Sequence, residues 1–341
     1  MEKRQLNSLK TLLESPKNIA IIPHRNPDGD AMGSTLALQF FLKKLKHSAT
    51  VIAPNNFPSF LNWLPKSEEV VLFDQENEKA NQLLKQADII FTLDFNSFSR
   101  TGKEMQEVLE NLNSTFIMID HHQQPDDYAQ FMISEINTSS TCELVYEFIH
   151  LLNKPELIDK NIATCLYTGV MTDTGSFRFP STSSDTHRMI AHLIDKGAEN
   201  ALIHQNTFDT KSPDQLKLLG VALNNLHILK EYKTVYISLS QQELDDHNYK
   251  KGDTEGIVNY GLSLQGIIFA VIFIENKAEE IIKISFRSKG DFDVNTFARE
   301  NFNGGGHKNA AGGRSFKSLP QTISDFEKLL KNYSEQLNLN S

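Results

Sequence analysis

Four apolar segments in the first half of the chain each run into a carboxylate or an imidazole. Asn18–Pro23 leads directly into His24-Arg25-Asn26-Pro27-Asp28-Gly29-Asp30. Asp88–Asp94 (DIIFTLD) ends on Asp94, and Thr115–Asp120 (TFIMID) runs into Asp120-His121-His122. The apolar helix Ile162–Val170 is followed by Met171-Thr172-Asp173. Three of these runs read as buried strands, with Ala49–Pro54 as a further one. Helical patterns lie between them, at Ala31 to Lys46, Glu76–Gln86, Gly102–Asn111, Cys142–Asn153 and Lys160–Thr172, with an amphipathic start at Met1 to Leu13. Strands alternating with helices imply an α/β fold: a mostly parallel sheet covered by helices on both faces. Ligands bind such sheets beyond the carboxyl ends of the strands, so the four segments converge at one edge.

Taken singly, each signal is weak. An Asp after a strand is ordinarily a turn or a helix cap, and Asp28-Gly29-Asp30 alone reads as a plain turn. Their joint occurrence is what needs a cause. Asp28, Asp30, Asp94, Asp120 and Asp173, packed with His24, His121 and His122, would repel and push each other's pKa values upward. Divalent cations remove that problem. A carboxylate and imidazole donor set suits Mn²⁺, with Mg²⁺, Fe²⁺ or Co²⁺ as alternatives, and the absence of a cysteine donor speaks against structural zinc. The donors suffice for two ions, and paired ions about 3.5–4 Å apart are a device for phosphoryl transfer.

The second half changes character. Ser183 or Ser184 caps a helix running to Lys196 and stopped by Gly197, and Ser212-Pro213 opens another through Leu226. Ala198–Leu229 reads as a helical connector. Strands follow at Thr234–Leu239, Gly266–Ile274 and Glu280–Arg287, then a Gly-rich segment and a helix from Leu319 to Leu337. The expected division is therefore 1–197, a linker 198–229, and a smaller α/β domain 230–341. In the Gly-rich segment, Gly304-Gly305-Gly306-His307, the backbone can approach an anion and turn its N–H groups toward it, and a helix starting near His307 would add its positive end. Arg287-Ser288 follows a strand and can place a guanidinium beside the same anion.

Charge limits the partners. With 34 basic and 43 acidic residues among 341, the chain carries a formal −9. That argues against an electrostatic grip on long nucleic acid, and not against a small anion held by metals and a few local cations. The absence of a long apolar leader or span, and two cysteines in apolar surroundings, point to a cytoplasmic protein without a membrane segment.

The order HxxxDxD, Asp, DHH, Asp and GGGH resembles the DHH superfamily joined to a DHHA1 domain, over roughly Asn18 to Phe326. The matching segments are IIPHRNPDGDAMGS, DHH, GVMTDTGSFRF, FRSKG and GGGHKNAAGG. They are most similar to the stand-alone bacterial oligoribonucleases that also dephosphorylate 3′-phosphoadenosine 5′-phosphate (pAp). The resemblance implies that His24, Asp28 and Asp94 hold one ion, and that Asp30, Asp94, His121 and Asp173 hold the other. Asp94 then bridges, and His122 contacts the scissile phosphate. Arg287, Ser288, Gly305, Gly306 and His307 would bind the rest of the nucleotide from the second domain, with Arg178 at a position near the cleft. Family resemblance also admits a homodimer.

A water bridging two dications loses a proton near neutral pH and attacks phosphorus in line, so no covalent intermediate is expected. The expected substrate is short RNA or a mononucleotide. A cyclic- or linear-dinucleotide phosphodiesterase is the alternative with the same residues, and a non-catalytic nucleotide sensor is the alternative from another class. Loss of a metal ligand would favour the sensor, and none is lost.

Overall fold

The computed structural model describes residues 3–339; Met1 and Glu2 of the expected first helix lie outside them. The chain divides into two compact units, Met1–Thr210 and Lys211–Ser341.

The first unit runs α1 (Lys3–Leu12), β1 (Asn18–Ile22), α2 (Gly29–Lys44), β2 (Ser48–Ala53), β3 (Val71–Leu72), α3 (Asn77–Gln86), β4 (Ile89–Leu93), α4 (Lys103–Leu109), β5 (Thr115–Asp120) and β6 (Phe131–Ser134). It continues through α5 (Thr141–Leu151), α6 (Lys160–Asp173), α7 (Ser184–Asp195) and α8 (Asn200–Phe208). Its strands form one sheet in the order β3-β2-β1-β4-β5-β6, and every neighbouring pair is parallel. A parallel strand buried on both faces reads as a continuous apolar run, and all five residues of β4 are buried. Ile21, Phe91 and Ile117 pack on one face with Leu36, Phe41 and Phe148, while Ala20, Ile22 and Ile90 pack on the other with Leu84, Met105 and Leu109. Because β2 lies on one side of β1 and β4 on the other, the order reverses between β1 and β4. The carboxyl ends of these two strands therefore flank a crevice.

Glycines let α2 and α6 approach closely. A Cβ on Gly29 would lie 2.3 Å from Thr172 Oγ1, one on Gly33 2.5 Å from the Cys165 carbonyl, and one on Gly169 2.2 Å from Cys142 Sγ and 3.0 Å from Asp30 Oδ1. The glycine between Asp28 and Asp30 thus serves helix packing more than turning. Gly169→Ala is expected to lower unfolding free energy by roughly 1–3 kcal/mol in a denaturant titration. Gly220→Ala, in the helix after Pro213 with nothing within 4 Å of the new methyl, should raise it by roughly 0.5–1 kcal/mol.

The second unit comprises α9 (Pro213–Asn224), β7 (Leu226–Leu229), β8 (Thr234–Leu239), α10 (Gln241–Asp246), α11 (Ile257–Leu262), β9 (Phe269–Asn276) and β10 (Ile281–Ser288). After these come α12 (Val294–Asn301), β11 (Gly305–His307), β12 (Ala310–Ser315), α13 (Leu319–Leu330) and α14 (Ser334–Leu339). Its sheet has the order β11-β12-β10-β9-β8-β7, parallel only between β8 and β9. Phe286, Phe292, Phe297 and Phe302 are at most 5% exposed, so these rings form core rather than base-stacking platforms.

Several expectations change here. The segment 198–229 is not one connector: α8 belongs to the first unit, while α9 and β7 belong to the second. Leu226 starts a strand instead of ending α9, and the C-terminal helix is broken by a short 3-10 turn at Lys331–Tyr333. No helix starts at His307. Gly305–His307 and Ala310–Ser315 pair as a hairpin, in which a Cβ on Gly304 would lie 2.0 Å from the Gly312 carbonyl. Among the described residues no helix is long and apolar enough to cross a membrane.

Candidate metal centre

The residues singled out in the first unit come together beyond the carboxyl ends of β1, β4 and β5. His24 follows β1 after Pro23. Its Nδ1 donates to the Arg25 carbonyl at 2.9 Å, which turns Nε2 toward the carboxylates. That Nε2 is 3.8 Å from Asp28 Oδ2 and 3.4 Å from Asp94 Oδ2. Asp28 is the N-cap of α2: its Oδ1 accepts from the N–H groups of Asp30 and Ala31, each at 3.0 Å, which commits one oxygen to the helix and leaves the other for His24.

Asp94 is the hinge of the arrangement. It leaves β4 with φ of +65°, a left-handed conformation that a non-glycine residue keeps only where its surroundings over-determine it. Its Oδ2 faces His24, and its Oδ1 lies 3.4 Å from His121 Nε2. The same His121 nitrogen is 3.9 Å from Asp30 Oδ2 and 3.7 Å from Asp173 Oδ2. His122 is held by Asp120: its Nδ1 is 2.8 Å from Asp120 Oδ1 and 3.8 Å from Asp94 Oδ1, and its backbone N–H donates to Asp120 Oδ2 at 3.1 Å. Asp120 therefore fixes the His122 ring through its Nδ1.

The electrostatics match a cation site. Burial works to lower the His24 pKa, but hydrogen bonds and charges from Asp28 and Asp94 overcome it and push it up to about 10. His121 is likewise held well above the usual imidazole range, against its burial, by Asp94, Asp173 and Asp30. Burial raises the Asp30 pKa well above the carboxylate range, helped by Asp94 and Asp173. Burial also raises Asp173, to about 7. Asp94 stays well below that range despite burial, because His121 and His24 both face it. Without metal, protonated imidazoles supply the positive charge that these carboxylates require.

Among the described residues of the first unit, three groups of donors lie with all their atoms within 4.8 Å: His24 with Asp28 and Asp94, Asp30 with Asp94 and His121, and Asp94 with Asp120 and His122. The first two sets, linked by one carboxylate that turns an oxygen to each, fit a pair of hard or borderline divalent ions.

The other residues divide. Arg178 is exposed, its Nε donating to the Gly175 carbonyl at 2.8 Å. In the second unit, Arg287 pairs with Ala310 and Ala310 with His307. The three are in register across three strands, so their side chains leave the same face. Ser288 is buried, its hydroxyl donating to the Phe292 carbonyl and accepting from Asn309 Nδ2. The Gly306 N–H donates to Asn295 Oδ1 at 2.9 Å, so the glycine amides are not simply open to an anion. Sequence reasoning missed the start of α5, where the N–H groups of Thr141 and Cys142 donate to Asp30 at 2.7 and 2.9 Å and the Thr141 hydroxyl to Asp94 Oδ1 at 3.0 Å. The S-x-x-E pattern of Ser140 and Glu143 marked that helix start.

Residues 18–170 match the model of the DHH family, N-terminal domain, and residues 231–338 that of the DHHA1 domain. A bifunctional oligoribonuclease and PAP phosphatase NrnA of Thermus thermophilus is 29% identical over 319 residues, covering 94% of this chain and 90% of its own. The protein of the same name from Bacillus subtilis is 26% identical over 319 residues, covering 92% and 95%. The crystal structure of an exopolyphosphatase-related protein from Bacteroides fragilis superposes with a TM-score of 0.95 at 38% identity, covering 99% of this chain and 98% of that one.

Proposed function

From the premise that the chain belongs to the DHH phosphoesterase family, with a DHHA1 domain in its second unit, we propose that it hydrolyses short oligoribonucleotides and pAp with two divalent ions, preferentially Mn²⁺. The observation that carries this is Asp94, buried, with one oxygen facing His24 and the other His121. His24, Asp28 and Asp94 would hold one ion, and Asp30, Asp94, His121 and Asp173 the other. When bound, such a pair supplies a water of lowered pKa and offsets charge on a phosphoryl group.

The chain's own groups do the remainder. Asp120 accepts from His122 Nδ1, which orients the ring; with a proton on Nε2 as well, His122 would donate to a phosphoryl oxygen. A donor aimed where charge develops is worth about 10²–10³ in rate. In the second unit, Arg287, whose Nη1 donates to the Phe286 carbonyl at 2.9 Å, and His307 flank Ala310 on one face of the sheet and would together offer a guanidinium and an imidazole to an anion. These residues would bind the non-reacting part of the nucleotide, and Ser288 would act only by holding Asn309. Arg287→Ala and His307→Ala are expected to lower kcat/KM on a dinucleotide by about 10–100-fold and on an aryl phosphate ester by less than about threefold, because remote binding assists only a substrate that has the remote part. Equal losses on both would place these residues at the reacting centre.

Product analysis over pAp, RNAs of two nucleotides and longer, cyclic dinucleotides and pyrophosphate tests the substrate class. The expected result is preference for pAp and the shortest RNAs. A rate rising steadily with RNA length, with processive products, would reject the short-substrate reading, and preference for cyclic dinucleotides would replace it. No turnover of any of them with Mn²⁺ would favour a sensor.

A further inference from the structure

The first turn of α5 touches the centre without offering a side chain that ligates in the scheme above. We propose that Thr141 is a positioning residue that builds the half of the centre formed by Asp30, Asp94, His121 and Asp173. This rests on the two-ion reading and deepens it.

Three hydrogen bonds from this turn end on two carboxylates. The Thr141 N–H donates to Asp30 Oδ2 at 2.7 Å and the Cys142 N–H to Asp30 Oδ1 at 2.9 Å. Asp30 is thus gripped at both oxygens by a helix N-terminus, where backbone N–H groups favour negative charge. The Thr141 hydroxyl donates to Asp94 Oδ1 at 3.0 Å, the oxygen that faces His121 rather than the one that faces His24. One residue therefore fixes the orientation of both carboxylates on the His121 side, and touches neither His24 nor Asp28 in any bond of the structure described above. Asp94 has only its χ torsions to decide how its two oxygens are shared, and the hydroxyl pins one of them.

The turn itself is held in place. Ser140 caps α5, its hydroxyl accepting from the Glu143 N–H at 3.1 Å. Glu143 accepts in return from the Ser139 N–H at 3.1 Å and from the Ser139 hydroxyl. Its carboxylate also accepts from the Thr186 hydroxyl at 3.2 Å, and Thr186 belongs to the capping box that opens α7. Two helix starts are locked together through buried polar groups, so Thr141 is presented by a rigid element and not by a loop. Hydrogen-bond partners that orient metal ligands typically affect metal affinity by about 10–100-fold.

The test is Mn²⁺ binding by calorimetry, with electron paramagnetic resonance to detect magnetic coupling between paired ions, on the full chain and on Thr141→Val and Thr141→Ser. Valine keeps the shape and the N–H and removes only the hydroxyl. In the valine variant one Mn²⁺ should bind as in the parent, the second should bind about 10–100-fold more weakly, and the coupled signal should appear only at correspondingly higher Mn²⁺. Serine should restore both, and saturating Mn²⁺ should recover most of the valine variant's kcat. Unchanged affinity for both ions in the valine variant would overturn the proposal. So would equal weakening of both ions with a lower melting temperature, or a serine variant as impaired as valine. If the parent chain itself fails to take up two ions, the two-ion reading fails first, and that result is distinct from all of these.

Discussion

Asp94→Ala is expected to lower turnover of a dinucleotide by roughly 10³-fold at fixed Mn²⁺, against roughly 10²-fold for His24→Ala. The difference follows from geometry. His24 Nε2 faces Asp28 and one oxygen of Asp94, so its loss disturbs one donor set. Asp94 presents an oxygen to each set, and its removal disconnects them. It also leaves the Thr141 hydroxyl without its carboxylate partner. The fold should survive both changes, because the apolar faces of the sheet hold the first unit together and the remaining buried titratable groups can gain or lose protons when one charge is removed. A thermal melt separates the two kinds of loss. Metal-free melting temperatures should stay near the parent value, while the rise on adding Mn²⁺ should shrink more for Asp94→Ala than for His24→Ala, since stabilisation by a ligand follows its affinity. Equal, modest losses of turnover in both variants would contradict the bridging role.

The parts of this site that carry side-chain chemistry were legible because apolar runs announce buried parallel strands, and a charged residue at the end of such a run is conspicuous. His24, Asp94 and His121 were found in that way, and the strand order then brings them to one edge. What was not legible is backbone. The amides of Thr141 and Cys142 grip Asp30 across 111 and 112 residues of sequence, and an N–H group has no letter. Gly169 was illegible for a related reason, since its role is the space that Cys142 and Asp30 occupy. The Gly-rich segment misled in the opposite direction. Consecutive glycines suit an anion loop, a helix start and a close-packed hairpin equally well, and only pairing with β12 decides among them. The short strand β6 escaped because its four residues are half-buried and carry little periodic signal.

Uptake of Mn²⁺ should strengthen steeply with pH, well above the range in which free imidazoles and carboxylates titrate. In the metal-free centre His24 is pushed up to about 10 and His121 is raised well above its ordinary value, so both are protonated at pH 7. A metal-ligating imidazole must be neutral, so each of these protons has to leave as an ion enters. The sign follows directly. Raising the pH lowers the cost of removing them, and affinity climbs about tenfold per pH unit for each proton displaced, until the raised pKa is passed. The ion held by His24, Asp28 and Asp94 should therefore gain about tenfold per unit between pH 6 and 9, as one proton leaves. The ion proposed at His121 should show a steeper slope, because Asp30, raised well above the carboxylate range, and Asp173, raised to about 7, must also give up the protons they carry. Calorimetry in buffers of different ionisation enthalpy counts the protons directly, and about two or more should be released for the pair of ions at pH 7. Ordinary pKa values would give affinities nearly flat above pH 7. Flat affinities with no proton release would mean that the acidic cluster does not hold His24 and His121 as cations, and that the centre does not wait for metal in the form described here.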